Sequence, residues 1–137
     1  MLLGRVSYQA FAPVWPGMTA EFAGYNAMPK HVVSTTLKQE DLVDNWGETS
    51  ILRSLDDVAA LKGTEGGPLI VHGSATLNRH LSDAGLIDRY HLLVFPVLLG
   101  AGKRLFSETD KDKQALKLVE SESYGNGIQK LIYDVTR

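Results

Sequence analysis

The sequence predicts an α/β fold built on a mostly parallel sheet, with an antiparallel hairpin at its C-terminal end. Three observations carry that expectation. The apolar run Leu69-Ile70-Val71 follows the breaker Gly66-Gly67-Pro68 and reads as a buried strand; it turns through Gly73 and Ser74 into an amphipathic helix with Leu77, Leu81 and Ala84 on one face. Strand and helix patterns alternate on either side of it, as crossover-connected parallel strands require. At the end of the chain, Leu116 and Leu118 alternate on one strand and Leu131, Tyr133 and Val135 on a second, with Gly125-Asn126-Gly127 at the turn.

The elements follow in order. Met1-Leu2-Leu3 is the tail of a buried strand ended by Gly4. Arg5 to Trp15 reads as a helix with Tyr8, Phe11 and Ala12 on one face and Ser7 as its cap, broken by Pro13 and Pro16-Gly17. Met18 to Ala27 is a second short helix carrying Phe22 and Tyr25. His31-Val-Val-Ser-Thr-Thr36 is a β-branched strand, and Thr49 to Leu52 a weaker one. Ser54-Leu-Asp-Asp57 has the form of a capping box ahead of Val58, Leu61 and Lys62, a helix closed by Gly63 and Gly66-Gly67. Beyond the central helix, which ends at Gly85, Arg89 to Val97 is a strand; its run Leu92 to Phe95 is too continuously apolar for a half-exposed position and is expected in mid-sheet. A glycine-rich loop, Leu99 to Phe106, then leads into a charged segment, Glu108 to Lys113.

Composition narrows the function. A chain of 137 residues with 44% hydrophobic content is expected to form a single domain, residues 1–137, with a real core. There is no apolar run of about 18 residues and no signal-like segment, and with no cysteine the expectation is a cytoplasmic protein without disulfide or thiolate chemistry. A net charge of -2, with no block of like charge, argues against a broad nucleic-acid surface.

The turn after Leu69–Val71 places free backbone N–H groups and the positive end of a helix at Gly73-Ser74, an arrangement suited to a nucleotide pyrophosphate or to plain chain reversal. In open α/β sheets ligands collect at the carboxyl ends of the strands. Three loops fall there: Gly4 to Ser7, Ser34 to Thr36, and Gly73 to Thr76.

These residues also carry a family resemblance. Leu3-Gly-Arg-Val-Ser-Tyr8, Pro29-Lys-His-Val-Val-Ser-Thr-Thr36, Val71-His-Gly-Ser-Ala-Thr-Leu77, Leu86-Ile-Asp-Arg-Tyr90 and Pro96-Val-Leu-Leu-Gly-Ala-Gly-Lys-Arg-Leu-Phe106 occur in one order along essentially the whole chain. Together they resemble the dihydrofolate reductase-like family, in particular the C-terminal reductase domain of the bifunctional riboflavin-biosynthesis deaminase-reductase. The resemblance implies a three-layer sandwich and an NADPH-dependent reductase of the 5-amino-6-(5-phosphoribosylamino)uracil type, acting on a small heterocyclic or sugar-phosphate substrate. It implies a cofactor site formed by Gly4, Arg5, Val6 and Ser7, by Ser34 and Thr35, and by Gly73, Ser74, Ala75 and Thr76, with Arg5 facing the adenosine 2′-phosphate. Arginine suits that part because its fork of donors matches a phosphate. The family begins with a further strand and helix ahead of this first segment, so the resemblance also implies an N-terminally shortened domain whose open strand edges favour a homodimer.

Each residue has an ordinary role open to it as well. Arg5 fits a solvated helix start, and Ser34 to Thr36 fit strand-end positions. His72 reads as a half-buried packing residue rather than a catalyst, Lys103 and Arg104 as solvated loop charges or contacts for a phosphorylated substrate, and Trp15 and Trp46 as packing residues. His31, His80 and His91 have no metal-ligand spacing, and no acid–base dyad stands out, so no metal and no catalytic residue is named. Hydride transfer tolerates that, because the cofactor carries the chemistry. Two other readings stay open: a dihydrofolate reductase-like enzyme on another metabolite, and a non-catalytic nucleotide-binding or assembly module.

Overall fold

The computed structural model describes residues 1–18, 20–106 and 113–137. Its contacts divide into two compact units, Met1–Asn78 and Arg79–Arg137. Most of the charged segment Glu108 to Lys113 lies outside the described residues, and Lys113 is exposed.

The first unit is built on three parallel strands in the order β1 (Leu2–Gly4), β2 (Lys30–Val33), β3 (Thr49–Leu52). Leu3 stands opposite Val32, and Val32 opposite Ile51. Leu3 and Val32 are fully buried and join Met1, Tyr8, Ala12, Leu37 and Trp46 in the core. Helix α1 (Arg5–Phe11) turns Tyr8 into that core, where its ring lies 5.9 Å from Trp46 and its hydroxyl accepts the Val43 N–H at 2.9 Å.

Two helices are shorter than the sequence suggests. α1 stops at Phe11, with Ala12 as its C-cap still in helical backbone, because Pro13 supplies no N–H to continue the ladder. Trp15–Gly17 form a separate 3-10 turn, and the next helix, α2, covers only Ala23–Ala27. Ser7 does not cap α1: Gly4 is the N-cap residue, with no side-chain capping bond. The β-branched run also ends early, at Val33. Ser34 Oγ accepts the N–H groups of Thr36 and Leu37 at 3.2 and 2.9 Å, and so folds the backbone off the sheet.

Lys30 is fully buried, which its charge would not suggest. Its ammonium donates to the carbonyls of Asn26 and Trp46 and sits 4.8 Å from the centre of the Trp46 ring. The Trp46 indole N–H in turn donates to Asn26 Oδ1 at 2.9 Å. Burial lowers the amine's pKa.

Helix α3 (Leu55–Lys62) starts at Ser54, whose hydroxyl accepts the Asp57 N–H at 3.2 Å as the capping pattern requires. The run Leu69–Val71 is not the buried strand the apolar pattern suggests. It makes one parallel bridge, Val71 to Leu2, with Leu2 N–H donating to Ile70 O at 2.8 Å. Ile70 is 40% exposed, because among the described residues the run has a strand neighbour on one side only. Helix α4 (Ala75–Asp83) buries Leu77 and Leu81 as its apolar stripe predicts, whereas Ala84 lies past its end and is exposed.

The second unit is an antiparallel sheet in the order β4 (Arg89–Val94), β6 (Gln129–Val135), β5 (Leu116–Ser123). The terminal hairpin forms as expected, with Gly127 at φ +88° in its turn and a register shift between Leu118 and Glu120. β4 is an edge strand rather than a central one. It ends at Val94, ahead of Pro96, and leaves Leu93 and Phe95 about half exposed. The centre of this sheet is β6, where Ile132 is buried.

Candidate nucleotide-binding site

The carboxyl ends of parallel strands are where the chain leaves the sheet, and three of this chain's exits converge. β1 runs straight into α1, so Arg5 follows Gly4 with no loop between. β2 ends in the Ser34 turn, and β3 ends at Leu52, one residue ahead of Arg53. A groove of about 340 Å³ at these ends is lined by Arg5, Val33, Ser34, Thr35, Thr36 and Arg53. The lining thus includes two arginines and three hydroxyl residues, and among the described residues no acid.

The lining is held from behind. Ser34 is only 8% exposed, with its hydroxyl engaged in the turn and 3.4 Å from Thr36 Oγ1, while Thr35 and Thr36 are exposed. Arg53 Nη1 donates to the carbonyls of Ser34 and Leu37 at 3.0 and 2.6 Å, pinning the turn from the next strand. Arg5 Nη1 donates to Gln9 one helical turn on, at 3.1 Å. Neither arginine forms an ion pair with another described residue.

The glycine turn meets the same strand end. Gly73 and Ser74 both adopt positive φ, +70° and +58°. The first is open backbone, where an added Cβ would meet nothing within 4 Å. Ser74 is the sole non-glycine residue with positive φ among those described, a strained conformation that needs a local cause. That cause is its hydroxyl, which accepts the Gly4 N–H at 3.1 Å and donates to Ser7 Oγ at 2.7 Å. These bonds tie the start of α4 to the end of β1. The Gly73–Ser74 peptide is trans.

The expected residues thus separate into groups. Arg5, Ser34 and Thr35 share the groove; Gly4, Ser7, Gly73 and Ser74 share the hydrogen-bonded turn; Ala75 and Thr76 open α4 beside it. Val6 joins neither group and is 63% exposed. Thr36, the last residue of the expected Ser34 to Thr36 loop, also lines the groove, and Arg53 belongs to it without having been expected there. Arg53 had a signal: it is the first residue after β3, the position Arg5 holds after β1 and Ser34 after β2.

His72, next to the turn, packs edge-on against Tyr25 at 5.7 Å as expected, but is exposed rather than half-buried. Burial raises the Tyr25 pKa. Lys103 and Arg104 are exposed loop residues. No helix among the described residues is long and apolar enough to cross a membrane.

Comparison with known proteins places this geometry in a family. The model of the RibD C-terminal domain matches residues 1–130 and so runs through both units. The chain belongs to the RibD C-terminal domain family. One relative, the uncharacterized protein YyaP of Bacillus subtilis (strain 168), is 31% identical over 104 residues, 76% of this chain. The match covers 53% of YyaP, so this RibD C-terminal domain chain spans about half of that relative's length.

Solved structures share the α/β fold. A protein of Shewanella sp. PV-4 assigned to riboflavin biosynthesis superposes with a TM-score of 0.75 at 21% identity, covering 99% of this chain and 73% of that one. A pyrimidine reductase-like protein of Corynebacterium diphtheriae gives 0.57 at 16% identity, over 99% and 75% of the two chains. Acinetobacter baumannii RibD gives 0.53 at 20%, over 78% of this chain and 31% of its own. The riboflavin-type, dihydrofolate reductase-like resemblance read from the sequence therefore holds for both family and fold.

Proposed function

We propose that this RibD C-terminal domain chain is an NADPH-dependent reductase that delivers hydride to a small heterocyclic or sugar-phosphate substrate, as a homodimer in the cytoplasm. The observation that carries the reading is the carboxylate-free groove with Arg5 and the hydroxyls of Ser34 to Thr36, next to the Gly73-Ser74 turn. A dinucleotide carrying an extra phosphate needs both parts: a cationic, hydroxyl-lined place for a phosphomonoester and an open glycine backbone for a diphosphate.

The residues present fit that cofactor. Arg5 and Thr35 would meet the adenosine-side phosphate, and Gly73, Ser74 and the start of α4 the diphosphate. Bound NADPH would supply the hydride. Ser74 keeps the turn open by spending its hydroxyl on Gly4 and Ser7, leaving the exposed face of Gly73 clear of side chains. No side chain is named as a proton donor.

The test is calorimetric titration with NADPH and NADH, repeated on Arg5→Ala. The expected result is tighter binding of NADPH than of NADH by the native chain, with that preference lost in the variant. A folded chain that binds neither would overturn the proposal and leave a non-catalytic module. Where NADPH binds, its substrate-dependent oxidation separates an enzyme from a non-catalytic nucleotide-binding module.

A further inference from the structure

The two edges of the antiparallel sheet are built differently. The order β4-β6-β5 leaves β4 and β5 as its outer strands. β5 carries the features that keep an edge from pairing with another chain. Its register shifts between Leu118 and Glu120, and it bears the charges of Lys117, Glu120 and Glu122, with Lys130 of β6 bridging the two glutamates at 2.9 and 3.1 Å. β4 carries none of these. It pairs with β6 in unbroken register from Arg89 to Val94 and holds no lysine or carboxylate. Its one arginine is tied to Asp134 of β6, Nη2 to Oδ2 at 3.0 Å.

The ladder decides which backbone groups of β4 stay open. The Val135 N–H donates to Asp88 O at 2.9 Å, and antiparallel pairs alternate between bonded and unbonded. Tyr90, Leu92 and Val94 therefore spend their N–H and C=O groups on β6, while those of Arg89, His91 and Leu93 point to the outer side. No other described strand pairs there. All three residues are exposed, Leu93 at 56%, and Phe95 adds apolar surface just past the strand.

A row of arginine, histidine and leucine complements itself when it runs antiparallel. About a two-fold axis at His91, Arg89 meets Leu93 of a second copy, His91 meets its own copy, and about six main-chain hydrogen bonds close. No arginine meets arginine, as parallel pairing would require. We propose that β4 is the interface of the homodimer, with two copies joined edge to edge into one continuous sheet, β5-β6-β4-β4-β6-β5. The inference rests on the homodimer of the reading above and gives it its surface. A two-fold joint uses up both open edges, so association stops at two copies.

The test is light scattering on the native chain, Leu93→Pro and Leu116→Pro, each first shown to be folded by its melting curve. Proline at position 93 removes an outward N–H and leaves the bonds to β6 whole. Leu116→Pro makes the same change on the outer side of β5, since the Thr136 N–H donates to the adjacent Ala115 O. The native mass should lie near twice 15.0 kDa, and Leu116→Pro should keep it. Leu93→Pro should weaken association by about a hundredfold and run as a monomer. A folded Leu93→Pro that stays dimeric, or a dimer lost in Leu116→Pro, overturns the β4 interface and leaves the homodimer standing. A native monomer overturns both. Growth beyond two copies also overturns the two-fold joint. Should Leu93→Pro fail to fold, hydrogen exchange on the native chain decides: the amides of His91 and Leu93 should be protected in concentrated solution and exchange freely on dilution. Free exchange at both concentrations overturns the interface. NADPH binding is measured separately and stands or falls apart from all of these outcomes.

Discussion

Ser74→Ala should destabilise the first unit by about 2 kcal/mol. The substitution removes one bond accepted from the Gly4 N–H and one donated to Ser7, each worth about 1 kcal/mol, and leaves a part-buried N–H without a partner. The strained φ of +58° remains in the alanine variant. Ser74→Gly loses the same bonds but relieves about 1 kcal/mol of left-handed strain, so its net cost is about 1 kcal/mol. Glycine should therefore be the milder substitution although it removes more atoms. The assay is urea denaturation followed by circular dichroism. With a slope of about 2 kcal/mol/M, the midpoints fall by about 1 M for alanine and about 0.5 M for glycine. Ser7→Ala alone should cost about 1 kcal/mol, and the double variant should fall short of additivity by the bond the two hydroxyls share. Equal midpoints for Ser74→Ala and Ser74→Gly would refute the strain argument, and additive single costs would refute the hydroxyl pair.

Other expectations follow from the same structure. Tyr8→Phe removes the acceptor for the Val43 N–H inside the core and should cost about 1–2 kcal/mol in the same denaturation assay. Lys30 has a folded-state pKa below its ordinary 10.5, so across that window the unfolded chain binds more protons than the native one. Stability should therefore rise with pH up to about 10, where the raised Tyr25 pKa begins to act in the opposite sense, and Lys30→Met should flatten the rise. A rise that survives in Lys30→Met would place its origin elsewhere. The proposed homodimer predicts a light-scattering mass near twice the chain's 15.0 kDa, and a monomer at micromolar concentration would contradict it.

The terminal hairpin, the ends of β1 and β2, and the meeting of Gly4 and Ser7 with the Gly73-Ser74 turn were legible in the sequence. They depend on where strands end, and apolar runs closed by glycine or hydroxyl residues mark those points well. What pattern could not show was tertiary. Leu92–Phe95 and Leu69–Val71 have the apolar continuity of central strands, yet pairing decides burial, and each lacks a second strand neighbour among the described residues. Ser34 looked like one more β-branched-run residue, but its hydroxyl ends the strand. Lys30 sits in the core because two carbonyls and an indole ring receive its charge, partners that lie four and sixteen residues away. Arg53 stands just past its strand as Arg5 and Ser34 do, but its bonds to the turn on the neighbouring strand are not written in its own segment.

The buried indole of Trp46 also gives the protein an optical signature. Both tryptophans, Trp15 and Trp46, fall in the first unit, and the second has no tryptophan, its tyrosines being Tyr90, Tyr124 and Tyr133. Trp46 is 1% exposed, so its emission should be blue-shifted in the native state and move to the red when unfolding brings water to its ring. Indole fluorescence therefore reads the first unit alone, while far-ultraviolet ellipticity reads both. The separation between those two melting curves measures directly whether the two units unfold as one cooperative body.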